Sequence, residues 1–356
     1  MLGPRLPQVP EFGTCLAMPD LDQLLNARGH QAELGAYVTA ACFNTAGSHA
    51  GFALGDGGIH TSDTTNWNRV VAHSGAVLSL APHPVTGGFL SGGDDGRLLA
   101  TSLTGETSEI AKFGSKWVDH VAGFGGKTPL LAAAVGKNIH LFTGTGAKLR
   151  EMPHPSSVTG IAFDTKGKRI AASHYNGASL WFTASATGTP RVLEWKGSHL
   201  GVAIHPNGDA LVTSMQENSL HGWTLPEGKH MRMAGYPAKT ESIGFTKSGR
   251  WLATGGADSV VFWPFFGGGP MGKAPTELGA GDGIVKRIAC HPDHEIVAAG
   301  FDTGLLMIID IPKEKVLPVC GPGRGAISAL NWNSSGSHLA FGTEGGFAAV
   351  VDFSAG

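Results

Sequence analysis

Histidine is the residue whose abundance first suggests chemistry, with sixteen in a chain of 356. His60, His140 and His221 occupy matching places in alternate segments, two positions before a bulky site. Neutral imidazole suits zinc or copper, which makes these three candidate ligands. A metal site needs three or four ligands within about 2 Å of one ion. Matching positions in different segments of a repeat point apart, so packing between segments is the expected role. The stretch from Gly267 to Lys273 spells the phosphate-loop pattern G-x-x-x-x-G-K. Its physical requirements fail, because Ala274 stands where a hydroxyl must hold magnesium and Pro270 removes an amide donor. A connecting loop is expected there.

Other chemistry is missing. Glycine triplets such as Gly55-Asp56-Gly57 are followed by no helix, which a dinucleotide site requires. Cys15, Cys42, Cys290 and Cys320 lie far apart and form no C-x-x-C pair. No G-x-S-x-G, H-E-x-x-H or calcium-loop pattern occurs. The expectation is therefore no catalytic residue, no cofactor-binding residue and no metal ligand. Lysine plus arginine (26) against aspartate plus glutamate (28) leaves a net charge of -2. Nothing global draws the chain to nucleic acid or an anionic membrane. Met1 to Pro10 lacks an apolar signal core, and no apolar run reaches the ~18 residues of a membrane span. A cytoplasmic protein is expected.

What must position any site is a repeat. A β-prone run ending in a polar residue or glycine recurs, as in Ala41-Cys42-Phe43-Asn44, Val202-Ala203-Ile204-His205 and Leu330-Asn331-Trp332-Asn333. Its last residues fall at 44, 83, 125, 164, 205, 246, 291 and 333. After each anchor come a turn, a small-residue strand such as Leu339-Ala340-Phe341-Gly342, a polar turn such as Asp302-Thr303-Gly304, and another strand. That last strand carries a bulky residue, among them Phe142, Trp181, Trp223 and Trp263. Four short strands in a period of 40–45 residues mark a β-propeller. The expected fold is all-β: an eight-bladed propeller of four-stranded antiparallel blades. Gln23-Leu24-Leu25-Asn26-Ala27, followed by Gly29-His30, is expected to supply the outer strand that closes the last blade. Residues 1–22 are read as an extension and 23–356 as one propeller.

At these residues the chain resembles the WD-repeat β-propeller family. The family's Gly-His element survives as Gly29-His30 and, loosely, as His73, His154 and His199; its turn acid or amide survives as Asp56, Asp95, Asn176, Asn218, Asp258 and Asp302. No Trp-Asp dipeptide occurs. The buried set of histidine, hydroxyl, turn acid and tryptophan that the resemblance implies is nearest to complete in His199, Ser214, Asn218 and Trp223. The turn after Trp263 is similar, in its Trp-Pro-Phe and Gly-Pro-Met-Gly-Lys elements, to bacterial WD-repeat proteins, some of them associated with zinc-handling GTPases. A zinc-homeostasis accessory role is thus one alternative, and an enzyme with a site in the central channel another.

The leading expectation is a non-catalytic scaffold that binds a protein or peptide, with neither nucleic acid nor membrane as partner. The resemblance implies two kinds of loop on one rim. In loops entering first strands the candidates are Trp117, Trp195 and Tyr236, with Lys286 and Arg324 beside them; between second and third strands they are Tyr175 and Phe301. Binding hot spots favour such aromatic residues and arginine. The long loop from Pro264 to Gly283 adds Phe265 and Phe266, neighbours that face opposite ways if extended, one free and one buried.

Overall fold

The computed structural model describes residues 20–185 and 188–354. Its strands are short and antiparallel, joined by tight turns, and arranged as a closed β-propeller. First strands adjoin one another around the axis. Val38–Phe43 touches Val77–Pro82, followed in turn by His120–Phe124, Gly160–Phe163, Arg191–Ile204, Ile243–Phe245, Val285–Cys290 and Ile327–Trp332, which returns to Val38–Phe43.

Among the described residues the ladders form seven sheets, six with four strands and one with six, which corrects the expectation of eight separate four-stranded sheets. The cause is local. Arg169–Phe182 and Arg191–Ile204, each 14 residues long, run through positions where the repeat pattern divides two strands. The first doubles back at Asn176 (φ 65°) without leaving extended pairing. The second pairs Glu194 with Gly177 on one side of Gly197, and Ile204 with Leu211 on the other. Two copies of the repeat thereby share one sheet.

The ring closes through its ends. Gly29–Glu33 pairs antiparallel with Phe347–Asp352 across five positions and covers an edge that would otherwise be free. The segment expected to form that strand is shifted: Gln23–Arg28 is a short helix, and the strand begins after it. Gln-Leu-Leu-Asn-Ala-Arg contains mostly good helix formers, and the helix seats Leu25 among Leu306, Val319 and Phe341. Of the expected extension, residues 1–19 lie outside the described residues, while Asp22 accepts a bond from the Gly321 amide at 2.6 Å and pairs with Arg324.

Apolar faces of neighbouring sheets form the core. Phe43, Phe52 and Leu54 meet Ala340, Ala348 and Val350 across the closing interface. The small-residue strands follow from this packing. A Cβ on Gly342 would lie 2.4 Å from Val38 Cγ1, and one on Gly300 would lie 2.4 Å from Ile327 Cγ2. The β-branched residue opening each of these first strands thus sits where the preceding sheet lacks a side chain.

Polar bonds lock the units in sequence. Bulges at the entry to first strands set Thr39 and Ser328 out of register. Thr39 Oγ1 donates to the Val77 carbonyl at 2.6 Å, and Ser328 Oγ donates to that of Val38 at 2.6 Å. Ser79 Oγ accepts from the Val121 amide at 2.7 Å, and Thr159 Oγ1 donates to the His199 carbonyl at 2.6 Å. The anchors' polar ends do the same further out. Asn44 Nδ2 donates to the Gly87 carbonyl at 3.0 Å, His205 Nε2 to Gly249 at 3.0 Å and His291 Nε2 to Gly336 at 3.2 Å. Each joins an anchor to the next unit's turn. Among the described residues no helix is long and apolar enough to cross a membrane.

Candidate functional site

Tyr175 and Trp195, expected in different kinds of loop, share one hollow. Tyr175 lies where Arg169–Phe182 reverses; Ala171, Ala172 and Ser173 before it are buried, while Tyr175 is 58% exposed. Its amide donates to Ser156 Oγ at 2.9 Å, and Asn176 Oδ1 accepts from the Gly197 amide at 3.2 Å. These bonds tie the turn to the connections on either side. Trp195 is half-buried and lies flat on the His221 ring, with centroids 3.9 Å apart and planes 10° apart. Burial, and then His230, push His221 down to about 3, so the ring beneath the indole is neutral. Its Nε2 is 2.9 Å from His230 Nδ1.

The hollow has a volume of about 630 Å³ and is flanked by Val192, Glu194 and Lys196. Val192 is 52% exposed. The chemistry available is that of recognition: a phenol, an indole face and an aliphatic side chain, with one charge of each sign beside them. His174 lines the same hollow, but Nδ1 is 3.0 Å from the Tyr175 carbonyl and Nε2 is 2.9 Å from Ser179 Oγ. Both ring nitrogens are engaged, and burial holds its pKa below the ordinary imidazole value. Val192, Glu194 and Lys196 were not among the sequence candidates; their signal was the alternation along Arg191–Ile204, in which Leu193 is buried between exposed neighbours.

Trp117 is also 58% exposed, held by the buried Val118, whose amide donates to the Gly93 carbonyl at 3.0 Å. Two other candidates are corrected. Phe301 is fully buried, packed with Phe262, Val285 and Leu305. Its amide bonds the Leu305 carbonyl at 2.9 Å, so it remains part of the sheet and the turn starts only after it. Tyr236 is 8% exposed: its hydroxyl lies 2.8 Å from Thr254 Oγ1 and accepts from Trp263 Nε1 at 2.6 Å. It fills a core position that histidine holds elsewhere. Arg324 is bound through both terminal nitrogens to Asp22, at 3.2 and 2.9 Å, and its guanidinium lies 5.1 Å from the Phe347 ring centroid. Lys286 pairs with Glu241 at 2.9 Å.

The adjacent phenylalanines divide as alternation requires. Phe265 packs edge-on against Phe245 at 4.8 Å, whereas Phe266 is 40% exposed between Arg250 and Lys273. Lys273 turns back toward the carbonyls of Phe266 and Gly267, and the strand Thr276–Leu278 follows rather than a helix. The phosphate-loop spelling therefore has no phosphate-loop geometry.

The buried polar set expected at His199 is not assembled as written. His199 Nδ1 meets Thr213 Oγ1 at 2.6 Å, while Ser214 accepts from the Gly201 amide and Trp223 Nε1 has no partner among the described residues. The better copy is His73, whose ring nitrogens meet Asp95 Oδ1 and Ser91 Oγ, each at 2.9 Å. His60, His140 and His221 lie on separate strands, Gly58–Ser62, Asn138–Thr143 and Ser219–Thr224. Among the described residues no three or more His, Cys, Asp or Glu side chains converge as a metal site would require. Cys42 and Cys290 are held as thiols by burial, which raises both pKa values; Cys15 lies outside the described residues.

No family model matches the chain. It is 26% identical over 242 residues to the WD repeat-containing protein slp1 of Schizosaccharomyces pombe, a match covering 63% of this chain and 48% of that protein. The chain thus spans about half the length of the curated relative it matches. The computationally designed protein Ika8 superposes with a TM-score of 0.71 at 18% identity, covering 89% of this chain and 96% of the designed one. The closed ring, the His73–Ser91–Asp95 set and this sequence match together support a WD-repeat β-propeller.

Proposed function

We propose that this protein is a non-catalytic scaffold that binds a protein or peptide on the rim carrying Tyr175, Trp195 and Trp117. The finer architecture we propose is a ring of eight repeat units, two of them sharing the six-stranded sheet. The observation that carries the functional reading is the Tyr175–Trp195 hollow: two amphipathic rings held by turn hydrogen bonds and a stacked imidazole before any partner arrives. Preorganised aromatic anchors bind at low entropic cost. The WD-repeat resemblance points to the same use, because propellers of that type generally present loops to proteins. The first-strand hydroxyls are occupied in joining units, which supports a structural role for the channel wall.

Affinity purification from the native cell, with the wild-type chain and its Tyr175→Ala and Trp195→Ala variants, tests this reading. Truncating a hot-spot aromatic costs about 2 kcal/mol or more, roughly thirtyfold in affinity. The co-purifying partner should therefore be depleted from both variants. A partner retained equally by both places the binding surface elsewhere.

A further inference from the structure

A second cleft, of about 730 Å³, opens on the opposite rim, where connections from first to second strands and from third to fourth strands emerge. Its apolar wall is Phe124, Leu149 and Phe182. Leu149 is 52% exposed and Phe182 is 61% exposed, far more than large apolar side chains in a sheet normally are. Around that wall stand Lys127, Lys166 and Lys168, and among the described residues no carboxylate lines the cleft. Nearby acids are engaged elsewhere: Glu151 pairs with Lys148, and Asp164 with Arg169. Among the described residues none of the three lysines forms an ion pair. The wall is also held in shape. Arg150 donates to the carbonyls of Phe182, Ser185 and Gly188 while its guanidinium lies 4.8 Å from the Trp181 ring centroid, and this anchors the end of the strand that bears Phe182.

We infer that this cleft docks an acidic segment of a partner protein. An apolar side chain enters between Phe124, Leu149 and Phe182, and flanking carboxylates meet Lys127, Lys166 and Lys168. Charge complementarity selects this occupant, because the described lining offers three lysines outside any ion pair, with the Arg150 guanidinium beside them, and no anion. Its concavity favours an inserted side chain over a flat bilayer. The inference is independent of the Tyr175–Trp195 hollow, which lies on the other rim.

Panning a random dodecapeptide display library against the full chain tests it. Enriched peptides should carry an aromatic or leucine residue among aspartates and glutamates. Their affinity should fall about tenfold in a Lys127→Glu, Lys166→Glu, Lys168→Glu variant, the sum of three modest exposed pairs. It should fall also in Phe182→Ser and with added salt, and stay unchanged in Trp195→Ala. All four substituted cleft positions are surface sites, and a matching melting temperature confirms that each variant folds. Enrichment without acidic residues, no enrichment, or affinity indifferent to these substitutions overturns the inference. So does a chain that binds phosphatidylserine vesicles through the same lysines but no acidic peptide.

Discussion

Acidification should weaken this fold through His154 in a way that one substitution isolates. His154 is 5% exposed, and its Nε2 accepts a hydrogen bond from Trp181 Nε1 at 3.1 Å, so the folded state needs the neutral ring. Burial first, and then His174, push its pKa from the ordinary 6.5 down to about 4. The unfolded chain therefore takes up a proton at higher pH than the folded one. The contribution to stability is complete above the unfolded value and is lost as pH falls through it toward about 4. At ~1.4 kcal/mol per unit, the loss between about pH 7 and about pH 5 is roughly 2 kcal/mol, rising to about 3 kcal/mol at lower pH. His154→Gln keeps an acceptor for Trp181 but removes the titration. Urea unfolding of both proteins at the two pH values reads the difference. The variant should lose roughly 2 kcal/mol less than wild type on acidification, and relief of the His174 repulsion acts in the same direction. Parallel pH dependence in the two proteins would refute the reasoning, because it would mean that His154 titrates alike in the folded and unfolded chains.

Two further perturbations separate structural from binding roles. Tyr236→Phe leaves the buried Trp263 Nε1 without its acceptor and should cost about 1–3 kcal/mol in thermal or urea unfolding. Partner binding at the rim should be unaffected; weakened binding at unchanged stability would restore Tyr236 as a contact residue. Deleting the chain through Glu33 uncovers the edge strand Phe347–Asp352 and should yield self-associating, less stable protein by light scattering and calorimetry. A monomer with an unchanged melting temperature would mean that Gly29–Glu33 does not hold the ring closed.

The rim residues show how far one-dimensional reading extends. Trp117 and Tyr175 are exposed as their loop positions implied, and Phe265 and Phe266 separate into a packed and a freer ring. Phe301 and Tyr175 both precede a polar turn, yet one is buried and the other exposed. Side chains in a strand alternate between faces, so a turn that begins one residue earlier reverses which way the preceding ring points. The sequence pattern locates such a turn only to within that residue.

From the repeat alone came the ring, its four-strand rhythm and its closure by the amino-terminal segment, because a turn-rich period near 41 residues buries its apolar faces only by stacking sheet on sheet. The anchors' polar ends were visible too, although their partners were not: Asn44, His205 and His291 each reach a turn in the next unit. Tertiary structure decided the rest. It merged two repeats into one six-stranded sheet, gave Tyr236 a core hydroxyl role, and brought Phe124 and Phe182 to one cleft from separate sheets. Those outcomes depend on contacts between residues tens of positions apart, and local periodicity carries no record of such distances.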